Sequence, residues 1–423
     1  MTVSTDSAAV SRRTGTLRAL GHPSFRRLWI ASSLWYVNRM MEMVVLSWLV
    51  LELTSSPSQV AFVGVSRMAP MFLLGLVAGS VADRFVKKRV MQATQITNLV
   101  VVVGMLLIIS LGSIQPWHVF VASFVTGSAW TVDFAARRSY FAELFEPDGL
   151  GNAVSLDVAA LTGSAMLGPI LGGTLIPLID YSGVYLVMLV LYAIGFILLM
   201  TVEARPIVAR TSGSSSVANN VVEAVRMIGT TRALWAALTI TVSLNFFGFP
   251  YMQMVPIIAR DELEVGPVLY GLLGAAAGLG SLTGSLFIAS RTIRNKGSMY
   301  SLGAILMVTG VFLFALSPVY QLSLLFLIVA GFGMSGFATM QPVIALQAVP
   351  PAMRGRAMGA IALGIGASPI GMFLVGQMAE AWGPRTALAV LTGTGFVVLN
   401  GVRLVLPELR KIREAVYETP LNP

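Results

Sequence analysis

A chain of 423 residues that is 56% hydrophobic and 11% charged, with a formal net charge of +9 and a mean hydropathy of +0.80, is far more apolar than a soluble globular domain. It contains no cysteine, which excludes disulfides, thiolate metal sites and cysteine nucleophiles. Its two histidines, His22 and His118, stand at the edges of apolar runs, so no imidazole lies deep in one to hold a metal or carry a proton.

Residues 1–27 have no short apolar core followed by a cleavage site and are expected to be a cytoplasmic tail. Runs of the length that crosses a bilayer core of roughly 30 Å as a helix, about 20 residues, follow at 28–53, 59–82, 90–111, 117–141, 151–179 and 184–202. Residues 203–233 interrupt the pattern. Their ARTSGSSSVANN stretch reads as a polar linker, and Val221, Val222, Val225 and Ile228 mark one face of a short amphipathic helix at the interface. Six further runs occupy 234–258, 268–289, 298–316, 322–349, 357–380 and 387–406, before a tail at 407–423. The expected fold is an all-α integral membrane protein with twelve transmembrane helices in two six-helix halves, 28–202 and 234–406.

An even number of crossings puts both termini on one side, and basic residues identify it. Of 28 Lys and Arg, 24 fall on the side of the termini, Arg260 and Arg385 fall opposite, and Arg39 and Arg67 remain inside runs. The termini are therefore expected in the cytoplasm, and the positive charge reflects topology and attraction to anionic lipid. It is not a nucleic-acid footprint, because no soluble domain exists to present one. The halves echo one another: Leu28-Trp29 returns as Leu234-Trp235, Gly79-Ser80 as Gly284-Ser285, and PDGLGNA from Pro147 as PAMRGRA from Pro351. Such a repeat places a substrate between the halves near the midplane.

Charged residues inside the runs are the candidate functional groups, since each costs about 2.5–3.5 kcal/mol at a membrane centre on insertion scales. In the first run Asn38, Arg39 and Glu42 share one face of a helix, expected to look into the central cavity beside Trp35 and Tyr36. Arg67 lies in the second run. In the fourth, Trp130, Asp133, Phe134 and Arg137 recur at i, i+3, i+4 and i+7, a polar and aromatic stripe. Asp157 enters the fifth run from the same side. Arg39 with Glu42, and Asp133 with Arg137, also suit internally neutralised structural pairs. The second half carries no clearly internal charge and offers Asn245, Gln253, Gln341, Gln347 and Gln377. Its FFGFPYMQM stretch, with Gly248 and Pro250, predicts a kinked or unwound seventh helix. Phe246, Phe249, Tyr251 and Gln253 would line a pocket there.

Two glycine-bearing motifs complete the pattern. GSVADRFVKKRVM, from Gly79, resembles the loop signature of the major facilitator superfamily, G-x-x-x-D-R/K-x-G-x-R/K-R/K. Gly79, Asp83, Arg84, Lys88 and Arg89 match it, and Val86 stands where glycine is usual. LTGSAMLGPILGG in the fifth run resembles the antiporter signature of the same family through Gly168, Pro169, Gly172 and Gly173, with Ser164 replacing an earlier glycine. A proline bends the helix and glycines let helices touch. Gly274, Gly278, Gly280 and Gly284 in the eighth run offer a matching surface across the halves. Together with FRRLW, WLVLELTSS, ARRSYFAELFEPDGLGNAVSL and VPPAMRGRAMGAIALG, the chain is similar to the branch of bacterial enterobactin and macrolide exporters.

That resemblance implies a multi-pass protein of a bacterial inner membrane, a loop that latches the halves in an outward-facing state, an outward direction of transport, and an arginine of the fourth span in proton coupling, for which Arg137 is the nearest match. No glycine-rich phosphate loop is present, so an ion gradient is the expected energy source. The expected function is secondary active export of a small amphipathic molecule by proton antiport, from a monomer needing no cofactor or metal and performing no chemistry. Coupling requires a carboxylate whose proton affinity differs between access states; burial raises it and a neighbouring arginine lowers it. Glu42 beside Arg39 is the first candidate, and Asp133 with Arg137 the second. A proton-coupled importer or uniporter of a nutrient is the alternative, and an intramembrane lipid-modifying enzyme is disfavoured by the lack of intramembrane His and Cys.

Overall fold

The computed structural model describes residues 18–145, 147–203, 232–291, 293, 295–347, 349, 357, 361 and 364–406. The expected tails, the linker with its amphipathic helix, and most of the PAMRGRA segment lie outside these residues. Within them the chain is helical and has no β-strand. The first half contains α1 (Pro23–Thr54), α2 (Pro57–Arg84), α3 (Lys87–Ser110), α4 (Pro116–Leu144) and α5 (Pro147–Met200). The second contains α6 (Arg232–Phe247), α7 (Tyr251–Ile257), α8 (Pro267–Ala289), α9 (Lys296–Leu316), α10 (Tyr320–Gln347), α11 (Ser368–Trp382) and α12 (Pro384–Val405). Among the described residues nine helical stretches are long and apolar enough to cross a membrane.

Proline opens α1, α4, α8 and α12 at or next to the first residue, where a missing N–H costs no helical hydrogen bond. α5 is two arms. Asp180, with φ 55° and ψ 176°, breaks it, and its two ends return to one side of the molecule. There the Asn152 side chain accepts from Ala19 N at 2.9 Å, and the Thr201 carbonyl accepts from Arg27 Nη1 at 2.9 Å. α6 stops at Phe247 and α7 starts at Tyr251, so Gly248 and Pro250 interrupt that helix as predicted. A five-residue π turn, Ile258–Glu262, continues it.

Among the described residues, contact between the halves is concentrated at the end away from Pro23 and Leu406. Gly173 of α5 packs against the Pro267 carbonyl and Gly271 of α8, and Pro169 against Gly271 and Gly274. Trp48 of α1 stacks on Tyr270 with ring centroids 5.3 Å apart, and Arg260 Nη1 donates to the Leu51 carbonyl at 2.7 Å. The glycines of α8 divide their labour. Gly274 and Gly278 face Pro169 and Ala165 across the halves, whereas Gly280 and Gly284 pack on α10 within their own half.

A polar latch finishes this closed end. Glu380 of α11 accepts from the hydroxyls of Ser56 and Ser58 and, at 3.2 Å, from the backbone N–H of Ser58. That N–H belongs to the first turn of α2, where free amides and the helix dipole favour a carboxylate. Glu380 is exposed, so the latch is worth about 1 kcal/mol or less. Spin labels at Ser113→Cys and Val319→Cys, exposed turns of opposite halves, would report it without background thiols. Glu380→Ala is expected to raise the population with the longer label separation by up to about fivefold.

Candidate functional site

α1 and α4 run antiparallel and bring two sequence stripes face to face. Ser32 meets Arg137, and seven residues further along α1 Arg39 meets Trp130, seven residues back along α4. Between them Trp35 lies 5.2 Å from Trp130, and Tyr36 lies 5.9 Å from it, centroid to centroid. A guanidinium caps each end of this aromatic stack. Arg39 sits 4.1 Å over the Trp130 ring, and Arg137 sits 4.8 Å over Trp35. Desolvated cation–π contacts of this kind are worth about 2 kcal/mol.

At one end of the stack the carboxylate of Asp133 accepts from Arg137 Nε at 2.7 Å, one helical turn away, and from the Thr94 hydroxyl of α3 at 2.9 Å. Arg137 also donates to the Ser32 hydroxyl, whose own proton goes to the Leu28 carbonyl at 2.7 Å. Asp157 of α5 accepts from the Tyr36 hydroxyl at 2.9 Å and interacts electrostatically with Arg137, Arg138 and Asp133. Asp133, Arg137 and Asp157 are all at least 96% buried. Arg138 is exposed and lies over Phe134. Asp133 is therefore the carboxylate ion-paired with the buried guanidinium, and Asp157 lies in the field of the same group.

At the other end the ion pair is Glu42 with Arg67, at 3.3 Å, rather than Glu42 with Arg39. Arg67 Nη2 also donates to the Arg39 carbonyl at 2.9 Å, which ties α2 to α1 at this level. Arg39 has no ion-pair partner among the described residues, because its guanidinium is held on Trp130, yet it remains in the electrostatic field of Glu42 and Arg67. Here one carboxylate is paired with Arg67 and lies in the field of a second guanidinium, Arg39. Asn38 and Glu42 are turned toward the second arm of α5 instead of a cavity between the halves. The Asn38 amide donates to the Met188 carbonyl at 3.2 Å, and Tyr185 and Tyr192 lie in the field of Glu42. The reason is packing: α1 is enclosed by α5, so this face of α1 is interior to its own half. Glu42 Oε1, Asn38 Oδ1, Arg67 Nη1 and the Tyr185 hydroxyl are buried without a partner among the described residues. Each is a buried hydrogen-bonding group left unsatisfied, which costs stability at this level of the bundle.

This combination is a set of buried charges in a glycine-seamed, two-half helical body, and comparison with known proteins agrees with it. Residues 14–420 match the major facilitator family described as transmembrane secretion effectors. The chain belongs to that family. Its relatives include an MFS-type transporter, YfiS, of Bacillus subtilis strain 168, 24% identical over 86% of this chain and 89% of the relative. The multidrug efflux pump Tap of Mycobacterium tuberculosis strain H37Rv is 23% identical over 87% of this chain and 90% of the pump. Among solved structures, a peptide transporter, POT, in complex with sulfate superposes with a TM-score of 0.76 at 12% identity, covering 93% of this chain and 96% of that one. The nucleoside transporter NupG gives 0.68 at 15% identity, covering 90% and 99%. These two share the fold.

The remaining sequence candidates of this major facilitator protein distribute unevenly. Asn245 donates to the Thr241 carbonyl one turn back, and Gln341 donates to the Thr241 hydroxyl at 3.1 Å, in a knot completed by Tyr300. Phe246 packs edge-on against Phe247, and Phe249 against Phe337. Tyr251 and Gln253 are buried in α7, with the Gln253 side chain against Gly64 of α2. Gly168 and Gly172 pack on Met40 and Met41 of α1, so this part of the motif serves contact within the first half. Of the loop motif, Lys88 Nζ donates to the Met200 carbonyl at 2.9 Å and Arg89 is exposed. The surroundings of Gly79 and the side chains of Asp83 and Arg84 lie outside what the structure describes. Sequence reasoning missed Thr94, Ser32, Tyr185 and Tyr192. Thr94, Gln95 and Asn98, polar residues inside an apolar run, were the available signal for α3.

Proposed function

We propose that this major facilitator protein is a secondary active transporter that exports a small amphipathic molecule in exchange for protons. Twelve crossings arise when the arms of α5 count separately and α2 and α11 join the nine apolar stretches. With the termini in the bacterial cytoplasm, the closed end is the outer one, which is the arrangement an inward-facing state requires. The likeness to a pump named for multidrug efflux and the antiporter-like seam at Gly168–Gly173 support the outward direction.

One observation carries the coupling: the buried ion pair of Asp133 with Arg137, with a second buried carboxylate, Asp157, in the field of the same guanidinium. A proton on either leaves the cluster charge-matched, which like charges sharing a site favour. A proton on Glu42 would instead leave Arg39 and Arg67 without an anion. The charge balance therefore favours Asp133 over Glu42 as the proton carrier, with Glu42, Arg67 and Arg39 holding the helices. The half-buried Trp130 and Phe134 of α4, and Phe246 and Phe249 of the second half, supply the apolar surface an amphipathic substrate needs.

Inverted vesicles bearing a pH gradient test this reading, with ethidium as the first probe. Asp133→Asn is expected to abolish proton-driven accumulation while energy-independent exchange of the probe persists. Undiminished uphill transport in that variant would remove Asp133 from coupling, and accumulation driven in the opposite direction would favour an importer.

A further inference from the structure

A groove of about 290 Å³ runs between α3 and α4, lined by Ala93, Thr94 and Thr97 on one side and Phe124, Val125, Ser128, Ala129 and Val132 on the other. Small residues on both helices open it. Its surroundings, Ile96, Val100, Val103 and Val121, are exposed apolar side chains of helices able to cross a membrane, so the groove faces the acyl chains of the bilayer. At the end where α3 begins, Arg89 lies on the same helical face as Ala93 and Thr97, at i, i+4 and i+8. Lys87 is paired with Glu143 at 3.4 Å and Lys88 is held by the Met200 carbonyl. Arg89 alone of the three is exposed, and its side chain has no partner among the described residues.

We infer that this groove binds one anionic phospholipid, with an acyl chain between α3 and α4 and its headgroup phosphate on Arg89. Basic residues at a cytoplasmic membrane surface select anionic headgroups, and an apolar trough continuing from such a residue into the hydrocarbon layer matches a chain in shape and polarity. The occupant touches the coupling site. Thr94 forms the floor of the groove and is 6% exposed there, and its hydroxyl lies 2.9 Å from Asp133 and 2.8 Å from the Met91 carbonyl. That hydroxyl has one proton for two acceptors. It donates to an ionised Asp133, and it donates to Met91 while accepting from a protonated Asp133. A chain packed on Thr94 covers what is exposed of that side chain, beside the carboxylate that the proposed function makes the proton carrier.

Binding can be read without transport. Protein reconstituted in nanodiscs of equal phosphatidylglycerol and phosphatidylcholine with identical chains is released and weighed by native mass spectrometry. Wild type is expected to retain one phosphatidylglycerol, preferred over phosphatidylcholine by about fivefold. Ala93→Phe, and independently Thr97→Phe, should fill the groove and lose that lipid. Arg89→Gln should keep a lipid but lose the preference, and Val103→Phe, on the lipid face beyond the groove, should change nothing. Equal retention of both lipids by wild type, or an undiminished phosphatidylglycerol signal in both groove-filling variants, overturns the assignment.

Discussion

Replacing Glu42 by glutamine is expected to lower the thermal stability of the purified protein more than replacing Glu42 and Arg67 together by glutamine and methionine. The single variant leaves Arg39 and Arg67 as like charges in a buried pocket with no anion. Removing one partner of a buried pair in this way costs about 3–5 kcal/mol, whereas substituting both by groups of similar volume is often close to neutral. The double variant also removes the mutual repulsion of the two guanidiniums and leaves Arg39 on the face of Trp130, a site it occupies without Glu42. Melting followed by intrinsic tryptophan fluorescence in detergent measures the order. A double variant less stable than the single one would mean that Arg67 supports the fold chiefly through the Arg39 carbonyl, to which its Nη2 donates at 2.9 Å.

Much of this site could be read before any coordinates. The Trp130–Asp133–Phe134–Arg137 stripe was legible because its spacing is local: residues three and four apart on a helix are neighbours whatever the tertiary fold. The interruption at Gly248 and Pro250 was legible for the same reason. Partners between helices were not. Arg39 and Glu42 stand three residues apart and look like a pair, but the choice between Arg39 and Arg67 depends on how α2 lies against α1 and on the competing face of Trp130, neither of which periodicity encodes. The face of α1 bearing Asn38 and Glu42 illustrates a second limit. In a membrane protein a polar stripe does not distinguish a cavity between halves from the interior of one half, since both exclude lipid. In the second half, Gln341 and Asn245 read as pocket residues because they were polar in apolar runs, yet they gather on Thr241. Gly274 and Gly280 sit on one helix and look equivalent in sequence, but only the neighbour decides which of them touches the other half.

Leucine at Gly173 is expected to force the closed end apart. A Cβ built there meets the Pro267 carbonyl and stands 2.9 Å from the Cα of Gly271, both main-chain atoms that no side-chain rotation can clear. Overpacking of a tight contact costs about 1–3 kcal/mol, and each 1.4 kcal/mol is about tenfold in a two-state equilibrium. If the seam parts in the other access state, as the proposed cycle requires, the penalty falls on the closed-end conformation alone and shifts the population instead of unfolding the chain. Labels at Ser113→Cys and Val319→Cys should therefore move to the longer separation, and turnover in vesicles should fall because the cycle must pass through the disfavoured state. Gly163→Leu is the control on the same helix, since a Cβ at Gly163 meets nothing within 4 Å; it should leave both readouts unchanged. If Gly173→Leu leaves the label distance where it was, α5 and α8 separate too little during the cycle for this seam to be the moving interface. The rocking would then have to turn on the contact of α2 with α11, where Glu380 holds the first turn of α2.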